Sequence, residues 1–163
     1  MTCLSTLIAA WGEAHREFDI VLGGIPDADL WRRPAPNLLS IGEIAGHVAY
    51  WQAVWTLGGG NDRPDLAQFP IASPLIDHRF RYYTTQRDEQ VALELTTEQV
   101  ATEVRRIHEV AKSVVEGKAG DDPFPGQWGT WGYFVQYQVF HVAYHAGQVY
   151  SARHTFGHET QDN

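Results

Sequence analysis

Two histidines four residues apart near the end of the chain, His141 and His145, have the types and spacing that chemistry at a metal ion requires. On a helix this spacing places the side chains about 40° apart around the axis and about 6 Å apart along it. The rings can therefore converge on one ion, and imidazole is the commonest metal-ligating side chain. A third histidine would complete a three-nitrogen site with an open position, which is typical of reactive metal sites.

His47 is the best-placed third histidine, because it lies on a predicted helical face among large apolar residues. It has two interpretations: a hydrogen-bonded core residue or an inward-pointing ligand, and taken alone the first is favoured. The apolar neighbours on this face are Ile44, Val48, Trp51 and Trp55.

Other histidines compete for the same role. His15 shares the apolar face of the first helical segment, and we interpret it as a core-edge residue bonded to a neighbour. His108 lies beside the stripe of the third segment and is predicted to be exposed or at a boundary. His154 and His158 repeat the spacing of four at a polar end, where we expect them to be solvated.

Four amphipathic segments must position these residues. Apolar residues recur at spacings of three and four over about residues 3–23, 40–57, 96–117 and 131–154, which predicts four helices. Capping boxes predict the starts of the second and third helices at Ser40–Glu43 and Thr96–Gln99. The fold class is therefore all-α, a four-helix bundle, in a single domain over residues 1–163. Metal sites in bundles are built from side chains on facing helices.

The stretch from residue 61 to 95 carries a weaker pattern. Prolines interrupt its first part, and Ser73–Pro74 is predicted to start a short helix through Tyr82 or Tyr83. A connection this long is usually functional or partly folded. We expect it to cover one end of the bundle.

Composition excludes some partners. The 163 residues include 12 Lys and Arg and 20 Asp and Glu, so the net charge of -8 argues against nucleic acid. No apolar run approaches the roughly 18 residues of a membrane span, and no signal peptide is expected. The one cysteine, Cys3, cannot form an internal disulfide, which favours a cytoplasmic location.

Three motifs together resemble the DinB superfamily, the group that includes the YfiT-like metal-dependent proteins. They are Trp31–Pro34, Ser40–His47 and His141–Gln148, the last reading His-Val-Ala-Tyr-His-Ala-Gly-Gln. The resemblance covers most of the chain and is weakest over residues 61–95.

The resemblance implies a four-helix bundle with a long crossover connection between helices two and three. It also implies a divalent ion, commonly nickel or zinc, held by His47, His141 and His145, and a homodimer. Members with assigned activities resemble transferases or isomerases that use low-molecular-weight thiols such as mycothiol or bacillithiol.

A divalent ion held by neutral imidazoles lowers the pKa of bound water or thiol, so either hydrolysis or thiol transfer is open to such a site. Glu43, Gln138 and Gln148 are the candidate partners for the other ring nitrogens. Four aromatic residues lie near the histidines on the second and fourth predicted helices, and they either line a pocket or belong to the core: Trp51, Trp55, Tyr137 and Tyr144.

The small-molecule substrate is not predicted, nor is any catalytic residue beyond the metal ligands. Two alternatives to an enzyme stay open. One is a non-catalytic metal-binding or stress-linked structural dimer, and the other is a protein whose histidines are ordinary core groups.

Overall fold

The computed structural model describes residues 3–61, 63–82 and 89–160, and within these ranges the secondary structure is helical. The α-helices are α1 (Leu4–Leu22), α2 (Asp27–Leu30), α3 (Ile41–Leu57), α4 (Thr97–Glu116) and α5 (Trp131–Thr155). Two 3₁₀ turns, Leu66–Gln68 and His78–Arg81, lie between α3 and α4. The all-α class and the four predicted long helices are confirmed.

The four long helices pack in a closed ring. Helix α1 contacts α5 and α4, and α3 contacts the same two helices. The start of α4 is tied to the end of α1, since the Thr97 hydroxyl donates to the Ile25 carbonyl at 3.0 Å. The shared centre is apolar, with Trp11, Phe18, Trp51 and Phe134 fully buried or nearly so. Burial of this surface is the main stabilisation available to a chain without disulfides.

Both predicted capping boxes are present. The Ser40 hydroxyl accepts from the Glu43 amide at 3.2 Å, and the Glu43 carboxylate accepts from the Ser40 amide at 2.8 Å. Thr96 and Gln99 make the same reciprocal pair at the start of α4. Each box satisfies two helix-terminal N–H groups that would otherwise lack partners, which fixes where α3 and α4 begin.

The connection from Gly58 to Thr96 differs from the prediction. No helix begins at Ser73–Pro74, where the chain forms an isolated turn: the Ile76 amide donates to the Ser73 carbonyl at 3.1 Å and the Leu75 amide to the Ser73 hydroxyl at 3.2 Å. The turn His78–Arg81 forms instead, and it ends at Tyr82, whose φ of 33° is left-handed. Tyr83 lies outside the described residues. From residue 89 to 95 the chain has no regular structure.

Two glycines of α3 let aromatic rings pack closely against it, that of Phe80 from this connection and that of Trp31 from the segment before α3. A Cβ at Gly46 would overlap the ring of Phe80, and a Cβ at Gly42 would overlap the ring of Trp31. Their absence lets both rings lie against the helix backbone. The connection therefore docks closely beside the face that carries His47.

A single-turn helix, α2, was not predicted. Pro26 stands at its N-cap position, and Asp27 and Asp29 lie in its first turn, where carboxylates favour helix starts. Within the described residues, no helix combines the length and the apolarity that crossing a membrane requires.

Candidate metal centre

His47, His141 and His145 converge on one point between α3 and α5. One candidate ligand atom from each residue lies within 4.8 Å of the other two. The ring centroids are 5.5 Å apart for His47 and His141, 4.8 Å for His47 and His145, and 4.6 Å for His141 and His145. The structure thus brings together all three predicted ligands.

The three ring planes are steeply inclined to one another, at 47°, 68° and 80°. Imidazole lone pairs lie in the ring plane, so inclined rings can direct them at a shared point. The spread of 4.8 Å exceeds the roughly 3.4 Å separation of nitrogens bound tetrahedrally about 2.1 Å from an ion. Side-chain rotation would have to bring the three nitrogens closer together, and their residue type suits a divalent ion.

Two of the rings are oriented by hydrogen bonds at Nδ1. His47 Nδ1 lies 3.0 Å from the Phe80 carbonyl oxygen, which only accepts, so this nitrogen carries the proton. His145 Nδ1 lies 2.7 Å from Gln148 Oε1, and Gln148 Nε2 donates to the Tyr144 hydroxyl at 3.2 Å. Both tautomers leave Nε2 with its lone pair, as a metal ligand needs.

His141 differs from the other two. Its Nδ1 is buried and has no hydrogen-bond partner among the described residues. Of the three candidate partners, Gln148 serves His145, and Glu43 is engaged elsewhere. Gln138, fully buried on the same face of α5, has neither amide atom bonded in the part of the chain that the structure describes.

All three rings are neutral near pH 7. Burial lowers the pKa of His47 to about 3, with His145 adding to the effect and the Phe80 carbonyl opposing it. Burial also lowers the pKa of His141 well below its usual value, and that of His145 to a smaller extent. Neutral imidazoles can bind a cation without first losing protons.

Aromatic side chains surround the cluster. Trp55 lies 5.3 Å from His141 and Tyr144 lies 5.0 Å from His145, both between ring centroids. Trp51 and Tyr137 contact the cluster as well, at 6.4 Å and 6.0 Å. All four predicted aromatic residues therefore border the histidines. Trp51 and Trp55 are buried core residues as well, whereas Tyr144 is exposed.

Tyr82 is a neighbour that the sequence pattern did not indicate. Its ring lies 6.2 Å from that of His47, and its hydroxyl donates to Glu43 Oε1 at 3.0 Å. Burial, with the charge of Glu43 acting in the same direction, raises its pKa. The residue belongs to an irregular connection, where no helical periodicity relates it to the histidines.

Glu43 is the anchor of the connection. Besides Ser40 and Tyr82, its carboxylate accepts from Arg33 at 2.9 and 2.5 Å and from the Val91 amide at 3.0 Å. Burial acts to raise its pKa, but these donors, Arg33 first, outweigh burial and lower it. Glu43 is therefore ionised and tied to the connection, and no described hydrogen bond links it to a histidine ring.

A second histidine pair lies elsewhere in the core. His15 Nε2 is 2.5 Å from Gln52 Oε1, which confirms the prediction of a core-edge histidine bonded to a neighbour. Its ring stacks on that of His108 with centroids 3.7 Å apart and planes inclined at 23°. His108 is buried against Trp11, so the predicted boundary position is wrong.

The C-terminal pair does not converge on the cluster. His154 is exposed, as predicted for a solvated residue. His158 is partly buried, with Nε2 2.7 Å from Asp29 Oδ2, so the prediction of simple solvation is wrong there. Asp29 belongs to α2, the single-turn helix that the sequence pattern did not predict.

Comparison with known proteins gives one match. The family model described as the DinB superfamily matches residues 10–149, which include all three histidines of the cluster. No curated protein and no solved structure matches the chain at a significant level.

Proposed function

We propose, since the chain belongs to the DinB superfamily, that it binds one divalent metal ion through His47, His141 and His145. The observation that carries the proposal is the convergence of three neutral imidazoles within 4.8 Å. Three protein ligands leave a coordination position for water or substrate, which distinguishes a reactive site from a closed structural one. Nickel or zinc is the proposed ion, since imidazole suits both.

The chain's own residues hold and orient the ligands. The Phe80 carbonyl and the Gln148 amide keep the protons of His47 and His145 on Nδ1. Glu43 fastens the connection, and with it the turn that carries Phe80, to α3. The buried rings of Trp51 and Trp55 pack beside His47 and His141.

We propose that the protein is a metal-dependent transferase or hydrolase. A bound divalent ion would make water or a low-molecular-weight thiol nucleophilic near neutral pH. The four long helices and the connection from Gly58 to Thr96 support a single four-helix-bundle domain with a crossover between its second and third helices. A homodimer and a cytoplasmic location complete the proposal.

Elemental analysis of protein purified without a histidine tag tests the metal site. We expect about one equivalent of nickel or zinc per chain, lost in His47→Ala and retained in His154→Ala, an exposed histidine outside the cluster. No stoichiometric metal, or equal uptake by His47→Ala, contradicts the site.

A panel of thiols and electrophiles, with and without a chelator, tests catalysis. We expect turnover of at least one thiol with an electrophile, or hydrolysis, that chelation abolishes and the metal restores. Stoichiometric metal without any turnover across the panel would instead support the non-catalytic metal-binding dimer.

A further inference from the structure

His141 is the one ring of the cluster for which the structure shows no acceptor at Nδ1. His47 has a carbonyl oxygen there and His145 has an amide oxygen. A ligating histidine almost always donates its second N–H to such an acceptor. The missing acceptor of His141 thus marks an incomplete part of the site.

We propose that Gln138 is the positioning residue for His141, and that its Oε1 accepts the Nδ1 proton when the metal is bound. The inference rests on the proposed metal site and adds a residue that acts through His141 without touching the ion. Gln138 is fully buried, and both of its amide atoms lack partners among the described residues. A buried polar atom without a hydrogen-bond partner destabilises the protein, so the acceptor and the donor of Gln138 are expected to find partners.

The position on the helix suits this role. Gln138 precedes His141 by three residues, so the two share a face of α5. Helical side chains lean toward the N-terminus, which directs the His141 ring over the turn that carries Gln138. The same spacing is already used at the other end of the site, where Gln148 follows His145 by three and bonds it at 2.7 Å.

Other buried polar groups are less suitable. Gln52 Oε1 is taken by His15, and its unpaired Nε2 can only donate. A donor at His141 Nδ1 would move the ring proton to Nε2 and block the nitrogen that His47 and His145 leave for the ion.

Thr56 can complete the arrangement. Its buried hydroxyl has no partner among the described residues, and Trp55 and Tyr137, which directly precede Thr56 and Gln138, have ring centroids 5.6 Å apart. The hydroxyl can accept from Gln138 Nε2, which turns the amide oxygen toward His141.

Metal titration of substituted proteins tests the inference, with zinc(II) and nickel(II) each used alone. Gln138→Met keeps the length of the side chain but removes the acceptor, and we expect a 10–100-fold weaker affinity. Gln138→Glu restores an acceptor and should recover most of it. Gln52→Met, which removes an equally buried amide from the facing helix, is the matched control and should bind like the wild type.

Two further measurements separate positioning from structure. The thermal stability of the metal-free Gln138→Met protein should not fall, because the change removes two unpaired polar atoms. In the zinc-loaded wild type, nitrogen-resolved NMR should show a slowly exchanging Nδ1 proton on His141 that Gln138→Met loses. Gln138→Leu repeats the test if the methionine variant does not fold.

The outcomes are distinct. A wild type that binds neither ion contradicts the proposed function itself. A wild type that binds, beside a Gln138→Met protein of equal affinity, overturns the inference alone. Equal losses in Gln138→Met and Gln52→Met also overturn it, because they would show a general effect of core polarity.

Discussion

Two groups of histidines lie in the same helical core, all of them buried except the half-buried His47, and they differ in how their rings meet. In the cluster of His47, His141 and His145 the planes are inclined by at least 47°, so ring edges can point at one centre. His15 and His108 stack nearly parallel at 3.7 Å and present faces to each other. Lone pairs of parallel rings do not converge.

Their hydrogen bonds differ in the same way. His47 and His145 each use Nδ1 for a protein acceptor and keep the other nitrogen toward the shared centre. His15 uses Nε2, the nitrogen farther from the backbone, for Gln52, and is committed to a core contact. Both groups consist of histidines within the core. Ring orientation is therefore what distinguishes the candidate ligand set from the pair that only packs.

Removing one histidine of the cluster should give the largest difference in metal affinity between the two groups. In His141→Ala we expect metal affinity to fall by more than the 10–100-fold typical of an outer partner, because a nitrogen of the ligand set is lost. In His108→Leu we expect metal binding to stay at the wild-type level. Equilibrium dialysis with elemental analysis measures both, and a metal loss in His108→Leu equal to that in His141→Ala would erase the distinction between the two groups.

Breaking the anchor of the connection should destabilise the fold. Glu43→Gln leaves Arg33, of which only 10% of the side chain is exposed, without its carboxylate, and we expect a loss of about 3–5 kcal/mol in the free energy of unfolding. Urea titration measures it. Glu13→Gln, which breaks the exposed pair with Arg16, should leave the free energy of unfolding nearly unchanged, because solvent screens that pair. A similar small change at Glu43 would show that the buried pair is not holding the connection.

The stacked pair of His15 and His108 should make the stability of the protein depend on pH. Burial, with Lys112 adding to the effect, lowers the folded pKa of His108 from 6.5 to about 4. Below pH 6.5, His108 is protonated in the unfolded chain but stays neutral in the folded protein. The free energy of unfolding therefore falls as the pH drops toward 4.

His108→Phe should lack the loss of stability that His108 causes at low pH. Between pH 7 and pH 4, the free energy of unfolding of the metal-free variant should therefore fall by up to about 3 kcal/mol less than that of the wild type. The ligand histidines contribute equally to both proteins and cancel in the difference. Denaturant unfolding at several pH values measures it, and parallel pH profiles for the two proteins would contradict the neutral stack.

Loosening one ligand without removing it should give the smallest effect. Gln148→Met takes away the acceptor of His145 Nδ1, and we expect about a 10-fold loss of metal affinity with little change in stability, because Gln148 is exposed. Gln136→Met, at another exposed position of α5, is the control. Unchanged affinity in Gln148→Met would mean that packing alone orients His145.

Much of this arrangement was readable from the sequence. Helical periodicity and the capping boxes located the four long helices, and the spacing of His141 and His145 indicated a shared face. These signals are local, since they depend on the 3.6-residue repeat and on contacts three or four residues apart. The position of His47 on a predicted helical face indicated the third member, and the family resemblance implied the same three ligands.

What the sequence did not reveal depends on distant contacts. The burial of His108 follows from its stack with His15, on a helix more than 90 residues away, and periodicity placed it only beside the apolar stripe. Phe80 serves His47 with a backbone carbonyl, which no side-chain pattern encodes. Tyr82 reaches the site from the end of the short 3₁₀ turn His78–Arg81, and the chain at Ser73–Pro74 forms an isolated turn in place of the helix that the proline position suggested.

The close packing of aromatic rings against Gly42 and Gly46 of α3 limits which substitutions the protein tolerates there. At Gly46 any side chain would drive the Phe80 ring outward and carry with it the oxygen that orients His47. A methyl group added there would therefore disturb the orientation of His47, a ring that it does not contact. A residue with no functional group of its own can thus restrict the geometry of the histidine cluster as strictly as the residues that hydrogen-bond to it.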